Sequence, residues 1–457
     1  MKVRFLPLQM KFDLINTLII INLFLILLEY SYKKSEFIYV FILSFLILSI
    51  LIYKEVLLCY LFNLDLWKLI FIFLIIFLYF IILDLIEDKN FDIYCLVTLV
   101  FLGSFILVTC DNLLTLYLGL ELQTFSIFIL IAKNRLSIKS SEAGLKYFIL
   151  GALSSGFYLL GLTMMFLLGY SLNLSDINFI SMEFLNIISL IFITLSFCFK
   201  LSLFPLHFWI PDIYEGSSWD IVALISTLPK ISVIVVLIQF LINSNLIFSF
   251  SILSIIIGTL GSLNQTKIKR LLGYSGISHM GFIILGFSLL AKQGFIISNL
   301  YLFIYMLTMI SLFILIINSN FSSNFIIELG GLKILNSIFS ITLIFLILSI
   351  AGIPPLSGFI SKWFLLLSCL NYNNLISSFI IILFSAIGAG YYLRLVKIIY
   401  FQKKDSYFVW KNILIKKHTH KELNLIILGF LLFFNIFIIF NFSFLVDFIN
   451  ISVINYL

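Results

Sequence analysis

Long apolar runs without a single charge constrain the possible folds of this chain more than any other feature. Three of them are Leu69–Leu83, Leu96–Val108 and Leu423–Phe440. About 20 helical residues, at roughly 1.5 Å each, cross the hydrocarbon core of a bilayer. Because that core offers no water to backbone amides, a spanning segment is a helix or part of a closed barrel. Barrel strands alternate polar and apolar residues, which these runs do not, so the sequence predicts an all-α membrane protein.

The composition agrees, since 62% of the 457 residues are hydrophobic and only 11% are charged. Soluble domains hold apolar content near half. Apolar runs between charges and turn residues predict about 14 transmembrane helices. The predicted spans are roughly 12–30, 37–53, 67–86, 91–109, 112–132, 143–169, 184–214, 219–242, 246–265, 271–290, 294–318, 335–372, 375–400 and 423–447. The longest polar stretch, Gln402–Glu422, is predicted to be a basic loop.

Prolines predict where helices are interrupted. Five of the six lie in three places, which are Pro205 with Pro211, Pro229 alone, and Pro354 with Pro355. Proline removes a backbone donor and clashes with the preceding turn. The segment 184–214 would be roughly 45 Å long as one helix, too long for a simple crossing. We therefore expect breaks near Pro205 and Pro354, an arrangement typical of inverted-repeat transporters.

Ionisable residues inside the predicted spans are functional candidates, because a charge at membrane depth costs about 2.5 kcal/mol or more. The candidates are Glu121, Lys146, Lys200, Lys230 and Lys362. A buried lysine can alternate between ammonium and amine, which arginine cannot. We therefore predict a proton relay of lysines with one glutamate. His207 and His279 are further possible members, since imidazole titrates near neutrality.

The same residues also have structural interpretations. Glu142 precedes Lys146 by four residues, the favoured order for a helical ion pair, and Lys146 can also extend to the membrane surface. Lys362 can bond carbonyls freed at the second break. Glu121 can be an ion-pair partner, and a histidine at a helix break is often a structural hydrogen-bonding residue. A scaffold whose lysines only pair helices therefore stays open.

Cofactor motifs are missing from the sequence. The five cysteines lie singly, without C-x-x-C or cluster-ligand spacing. Four histidines do not supply the facing pairs of a haem-binding helical protein, which argues against a cytochrome. Neither a Walker sequence nor a strand followed by G-x-G-x-x-G occurs. The sequence predicts no metal and no cofactor on this chain. Its net charge of +7 reflects basic loops on one side of the membrane, not a nucleic-acid partner.

Several motifs resemble one family closely. The stretch Phe199–Gly216, FKLSLFPLHFWIPDIYEG, resembles the signature of the antiporter-like subunit 2 family of NADH:ubiquinone oxidoreductase, respiratory complex I. Six further stretches are similar to the same family, in the expected order from about residue 110 to 365. They are Leu118–Leu122, Glu142–Phe148, Ser226–Lys230, Lys269–Ser275, Ser278–Gly281 and Ala351–Phe359 with Lys362.

The resemblance implies fourteen helices around two inverted five-helix repeats. It divides the chain into N-terminal helices (1–90), a first antiporter-like repeat (91–245), a second repeat (246–400), and a basic loop with a C-terminal helix (401–457). It also implies roles for the buried charges. Glu121 and Lys146 are the expected coupling pair, Lys200 and Lys230 the central relay, and Lys362 the exit-side lysine.

The function implied by the resemblance is proton translocation coupled to quinone reduction, with no redox chemistry on this chain. NADH, flavin, iron–sulphur clusters and ubiquinone are then bound by other subunits. The expected partners are membrane lipids and the other membrane-arm subunits of a hetero-oligomer. Residue choices typical of AT-rich codons fit a mitochondrial gene and the mitochondrial inner membrane. A bacterial plasma membrane is the alternative location.

A subunit of a multi-subunit sodium/proton antiporter is the alternative function. The stretch Pro211–Gly216 favours complex I, because antiporter-like relatives usually carry His and Ala-Pro there. One departure from the family pattern follows it. Ser217, Ser218, Trp219 and Asp220 stand where a small residue and proline are usual, so packing ahead of the Lys230 helix is expected to differ.

Overall fold

The structure of the protein is a computed structural model. It describes residues 66–86, 90–134, 136–169, 173–174, 184–240, 244–318, 325–330, 332–335, 337–402, 422–438, 442, 445–447 and 450. The predicted spans 12–30 and 37–53, and nearly all of the predicted basic loop, lie outside the described residues.

The described chain is helical throughout. Its α-helices are α1 Leu66–Leu85, α2 Phe91–Thr109, α3 Leu113–Ile131, α4 Ile138–Leu167, α5 Phe184–Lys200, α6 Trp209–Gly216, α7 Trp219–Gln239, α8 Ser244–Leu263, α9 Ile268–Ser288, α10 Lys292–Asn318, α11 Leu332–Leu335, α12 Ser337–Ala351, α13 Ser357–Asn371, α14 Leu375–Tyr400 and α15 Glu422–Phe437. A 3₁₀ turn spans Ile326–Leu329. Within the described ranges no named strand occurs, which confirms the all-α prediction.

Nine helices in the described part of the chain are long and apolar enough to cross a membrane, and three shorter apolar helices accompany them. The protein is therefore a multi-pass membrane protein. Two predicted spans, 91–109 and 375–400, coincide with α2 and α14 residue for residue. The predicted span 143–169 begins five residues too late, because α4 starts at Ile138 ahead of its charged first turns.

Three helices form the centre of the bundle. On α7 every side chain from Asp220 to Ile238 is buried, and α9 and α10 are buried along almost their whole length. Helix α7 packs against α1, α2 and α10, while α9 packs against α8 and α10. The outer helices α4 and α14 instead expose apolar side chains such as Leu153 and Phe379. Polar residues on α7 and α9 are thus kept from lipid by the surrounding helices.

The first helix break separates α5 from α6. Helix α5 ends at Lys200, residues 201–208 form turns, and α6 begins at Trp209. This confirms the interruption predicted near Pro205. The last carbonyls of a helix lack an amide partner within it. At this break the indole Nε1 of Trp209 donates to the carbonyl oxygen of Phe199 at 3.1 Å.

The second helix break separates α12 from α13 and confirms the interruption predicted near Pro354. Helix α12 ends at Ala351 and α13 begins at Ser357. Gly352 takes a φ of 80°, a left-handed conformation that glycine adopts without a steric penalty. Here the freed carbonyl of Ala351 accepts a hydrogen bond from Lys362 Nζ at 2.7 Å. A lysine therefore serves as the cap that an indole supplies at the first break.

Candidate functional site

Lys200 is the last residue of α5 and lies directly at the first break. Its Nζ is buried and makes no hydrogen bond within the described residues. The nearest aromatic face is that of Tyr147 on α4, whose ring centroid lies 5.7 Å from Nζ. Glu121 on α3 is the charge that interacts with it electrostatically. An ammonium buried without an ion pair is unstable unless water solvates it or it loses its proton, so Lys200 is suited to proton exchange.

Lys230 lies in the middle of α7, the most deeply buried helix. Its side chain is 1% exposed, and its Nζ has no hydrogen-bond partner among the described residues. The preceding residue, Pro229, lies inside the helix and removes one backbone donor there. Lys230 thus resembles Lys200 in carrying a buried amine that no protein carbonyl or carboxylate holds.

Glu121 and Lys146, the predicted coupling pair, lie on adjacent helices α3 and α4. Glu121 is half-buried, and its Oε2 accepts a hydrogen bond of 3.1 Å from Thr124. Within the described ranges no ion pair joins the two residues. Lys146 Nζ lies instead 2.6 Å from Glu142 Oε1 and 2.8 Å from Asp212 Oδ2. The ion pair with Glu142 is the one expected from their four-residue spacing.

His279 lies in the interior of α9. It interacts electrostatically with both Lys230 and Lys362. Its Nδ1 lies 2.9 Å from the Tyr301 hydroxyl, and its ring stacks on Tyr305 with centroids 5.0 Å apart. Its Nε2 lies 3.4 Å from the Tyr392 hydroxyl, a long contact. The structure therefore brings His279, a possible relay member, into the same buried polar cluster as Lys230.

Lys362 completes this cluster from α13. Its Nζ lies 5.8 Å from the ring centroid of Phe282 on α9, as well as bonding the Ala351 carbonyl. The carbonyl contact is the structural role foreseen for this lysine. It does not prevent a second role, because an ammonium has three donors and one carbonyl engages only one of them.

His207 lies within the first break, between the rings of Phe204 and Phe208 at centroid distances of 5.8 and 4.3 Å. Its Nδ1 is buried and has no hydrogen-bond partner among the described residues. In that part of the chain it makes no ion pair with Glu121 and no hydrogen bond to a buried lysine. The structure thus places His207 apart from the cluster that holds His279.

An ion-pair network around the short helix α6 was missed from the sequence. Asp212 bonds Lys146 and lies 3.5 Å from Arg270 Nη1. Glu215, which follows the interrupted span, is contacted by Lys267, Lys139 and Arg270 at 2.5, 2.9 and 3.1 Å. These contacts tie α6 to the starts of α4 and α9. Both acids lie in the motif that carries the family resemblance, but their partners are 52 to 76 residues away.

Burial alone would raise the pKa of the Glu215 carboxyl. Hydrogen bonds from the three cations outweigh that effect and hold its pKa at about 2. The carboxylate therefore stays charged at any physiological pH. Its ion pairs anchor the half-helix that follows the first break.

The segment that departs from the family pattern has contacts of its own. Lys269 Nζ donates to the Ser217 carbonyl at 2.5 Å and lies 4.8 Å from the ring centroid of Trp219. Asp220 lies 3.7 Å from Lys133 Nζ. This segment therefore packs through a hydrogen bond, a cation–π contact and a weak ion pair, and the expected difference from the family's packing stays a prediction.

The buried side chains form no metal cage in the described part of the chain, where no three His, Cys, Asp or Glu residues come together in a way that would hold a metal ion. The polar cluster around Lys230 and Lys362 consists of two amines, the His279 imidazole and tyrosine hydroxyls. Such a set can move protons, and it offers no ligand cage.

Comparisons with known proteins agree with this geometry. A chain 40% identical over 324 residues is NADH-ubiquinone oxidoreductase chain 2 of Metridium senile, with 69% of this chain and 84% of the relative covered. NADH-quinone oxidoreductase subunit N of Ruthia magnifica is 36% identical, with 69% of each chain covered. A chain of respiratory complex I from Thermus thermophilus shares the fold, with a TM-score of 0.81, 22% identity and coverage of 94% of this chain and 97% of that one.

The fold and the buried amines define an antiporter-like, multi-pass membrane protein. The chain belongs to the family described as NADH:quinone oxidoreductase/Mrp antiporter, TM, which matches residues 110–388. Within this family its relatives group it with chain 2 and subunit N, the membrane-arm subunits of the NADH-quinone oxidoreductase complex.

Proposed function

We propose that this chain carries protons across the mitochondrial inner membrane within the membrane arm of an NADH:ubiquinone oxidoreductase. Glu121 and Lys146 respond to quinone reduction elsewhere in the complex. Lys200 and Lys230 change their proton affinity in turn. Lys362 releases the proton on the outer side. His279 takes part between Lys230 and Lys362, and His207 is left outside this path.

A single observation carries the proposal, namely that Lys200 and Lys230 are buried amines without a protein hydrogen-bond partner among the described residues. A lysine that only joined helices would bond a carboxylate or a carbonyl, as Lys146 and Lys362 do. An unpartnered amine is instead free to exchange its proton with water. This argues against a purely structural scaffold.

The remaining parts of the complex supply the redox chemistry in this proposal. NADH, flavin, iron–sulphur clusters and ubiquinone are bound by other subunits. The chain contacts neighbouring membrane-arm subunits and lipid, and works only as part of a hetero-oligomer. Its contribution to the enzyme is the coupling of proton movement to electron transfer.

The decisive variant is Lys230→Ala in the assembled complex. We expect NADH-driven proton uptake into sealed vesicles to fall on the order of a hundredfold, since one acid–base group typically contributes that much. The uptake is normalised to the NADH oxidation rate of the redox module, which is measured by an assay that does not depend on proton pumping. Lys230→Arg should be equally impaired, because arginine keeps the charge but does not release its proton. Unchanged pumping in both variants would refute the proposal.

The size of the native assembly distinguishes a subunit of this oxidoreductase from a subunit of a stand-alone antiporter. Gently solubilised membranes are resolved on a native gel, stained for NADH oxidation and analysed by mass spectrometry. We expect this chain in a very large NADH-oxidising band. Its presence only in a smaller band without NADH activity would assign it to a sodium/proton antiporter instead.

A further inference from the structure

A glycine borders the space between Lys230 and Tyr305. Gly276 on α9 faces it, and a methyl group placed on Gly276 would lie 3.5 Å from Lys230 Nζ and 3.5 Å from the Tyr305 hydroxyl oxygen. The two polar atoms are therefore no more than about 7 Å apart, and they lie too far apart to bond each other directly, which is the range in which water bridges polar groups. Gly276 keeps side-chain carbon out of the space between them.

Both of these polar atoms are buried, and neither has a hydrogen-bond partner in the described part of the chain. A buried hydroxyl or amine left without a partner is destabilising, because it has lost its hydrogen bonds to water and gained none. Buried tyrosines normally bond their hydroxyl, as Tyr158 does to the Leu113 carbonyl at 2.8 Å. One small ligand between these two unpaired polar atoms would give both of them a hydrogen-bond partner.

Tyr305 also connects this space to the next titratable group. Its ring stacks on His279 at a centroid distance of 5.0 Å. Gly276 and His279 are three residues apart on α9, so they lie on the same face of that helix, one turn from each other. A ligand over Gly276 is thus placed between Lys230 and His279.

We propose that Lys230 Nζ and the Tyr305 hydroxyl hold a water molecule over Gly276, and that this water is the proton acceptor of Lys230. Tyr305 is a positioning residue, and Gly276 provides the space. An N–H bond of the ammonium breaks and its proton joins the water, while the water gives one of its own protons onward to the His279 imidazole. Lys230 becomes neutral, His279 becomes charged, and the water is regenerated. This inference rests on the proposed proton-relay function.

The test compares two variants of the assembled complex. Tyr305→Phe removes one oxygen and keeps the ring on His279, whereas Gly276→Ala adds a methyl group that extends from the helix into the space where the water is expected, at ordinary contact distances from Lys230 and Tyr305. We expect both to lower the proton-to-electron ratio and to slow pumping about tenfold, with a changed pH profile and solvent isotope effect. The matched controls are Tyr158→Phe, a buried tyrosine on α4 whose hydroxyl bonds the Leu113 carbonyl, and Gly156→Ala, a helical glycine with nothing within 4 Å of an added methyl.

The outcomes separate this inference from the proposed function. If Lys230→Ala abolishes pumping while Tyr305→Phe and Gly276→Ala pump with normal pH profiles, the water site is refuted and the relay stands. If Lys230→Ala pumps normally, the relay itself fails. A density map of the wild-type complex gives an independent reading. A water peak within hydrogen-bond distance of both atoms, lost in Gly276→Ala, supports the site, and a clear map without that peak overturns it.

Discussion

The two helix breaks share a plan and differ in one contact. Each interrupts a helix at a proline-containing turn and places a lysine beside it, Lys200 at the end of α5 and Lys362 early in α13. At the first break the Ser202 amide and the Trp209 indole both donate to the Phe199 carbonyl, and Lys200 Nζ has no hydrogen-bond partner among the described residues. At the second break Lys362 itself bonds the Ala351 carbonyl.

This difference gives Lys200 and Lys362 different roles. Lys200 contributes no hydrogen bond to the fold, so its charge can depend on Glu121 and on water alone. Lys362 holds the end of α12 while it is charged, so losing its proton also weakens a structural contact. A lysine at a helix break is therefore a relay group, a cap or both, depending on whether another donor is present.

The largest effect is expected from replacing each lysine by methionine. Lys200→Met should assemble normally, because its amine makes no hydrogen bond in the described part of the chain, but pump on the order of a hundredfold more slowly. Lys362→Met should pump poorly and also assemble less, since an unpaired carbonyl costs about 1–3 kcal/mol. Native gels give assembly, and sealed vesicles give pumping. Lys292→Met, at an exposed lysine, is the control. Equal assembly of both variants would remove the distinction between the breaks.

A smaller effect is expected from Trp209→Phe, which removes the indole donor at the first break. The Phe199 carbonyl then keeps only its hydrogen bond from the Ser202 amide, and packing against Tyr147 weakens. We expect the lost hydrogen bond and the weakened aromatic contact together to cost about 1–3 kcal/mol of stability, measured as earlier thermal release of this subunit from the purified complex. Trp363→Phe is the matched control, because Trp363 is largely exposed and stacks only on Phe359. Identical behaviour of the two variants would show that the indole cap is dispensable.

The smallest effect is expected at the anchor of α6, where Glu215 binds three cations. Glu215→Gln should cost about 1 kcal/mol, because the ion pairs are partly solvated. The pKa of this carboxyl is lowered from 4.5 to about 2. The stabilisation is therefore complete above pH 4.5 and is lost as the pH falls through about 2.

The measurement for Glu215 is the difference in thermal stability between wild type and Glu215→Gln across that pH range, at low and high salt. The difference should shrink towards acid pH and with added salt. Glu328→Gln serves as the control, since no ion pair to Glu328 is formed in the described part of the chain. A difference that is independent of pH would mean that the ion pairs do not anchor α6.

Much of the fold followed from local features. Apolar runs predicted α2 and α14 to the residue, and proline positions predicted both breaks. The start of α4 was missed because its first two turns carry Lys139 and Glu142 and so lack a continuous apolar run. Hydrophobicity marks the part of a helix that lies in lipid, and it does not mark a polar turn that extends beyond it.

The site was predicted less completely. The sequence identified the five ionisable residues and His279 as candidates, and the structure brings Lys230, His279 and Lys362 into one cluster. Their assignment as a relay stays a prediction. Of the two partners of Lys146, helical spacing predicted Glu142, whereas Asp212 could not be predicted because it reaches Lys146 only through the packing of α6 on α4.

The sequence by itself determined that this chain is a bundle of membrane helices with buried lysines and two breaks, because hydrophobic runs, charges and prolines act through local chemistry. Only the tertiary structure decided which amine stays unpartnered, which one caps a helix, and which tyrosine faces Lys230 across Gly276. Those choices depend on contacts between residues far apart in the chain. Their geometry is set by how whole helices pack, and no short stretch of sequence encodes it.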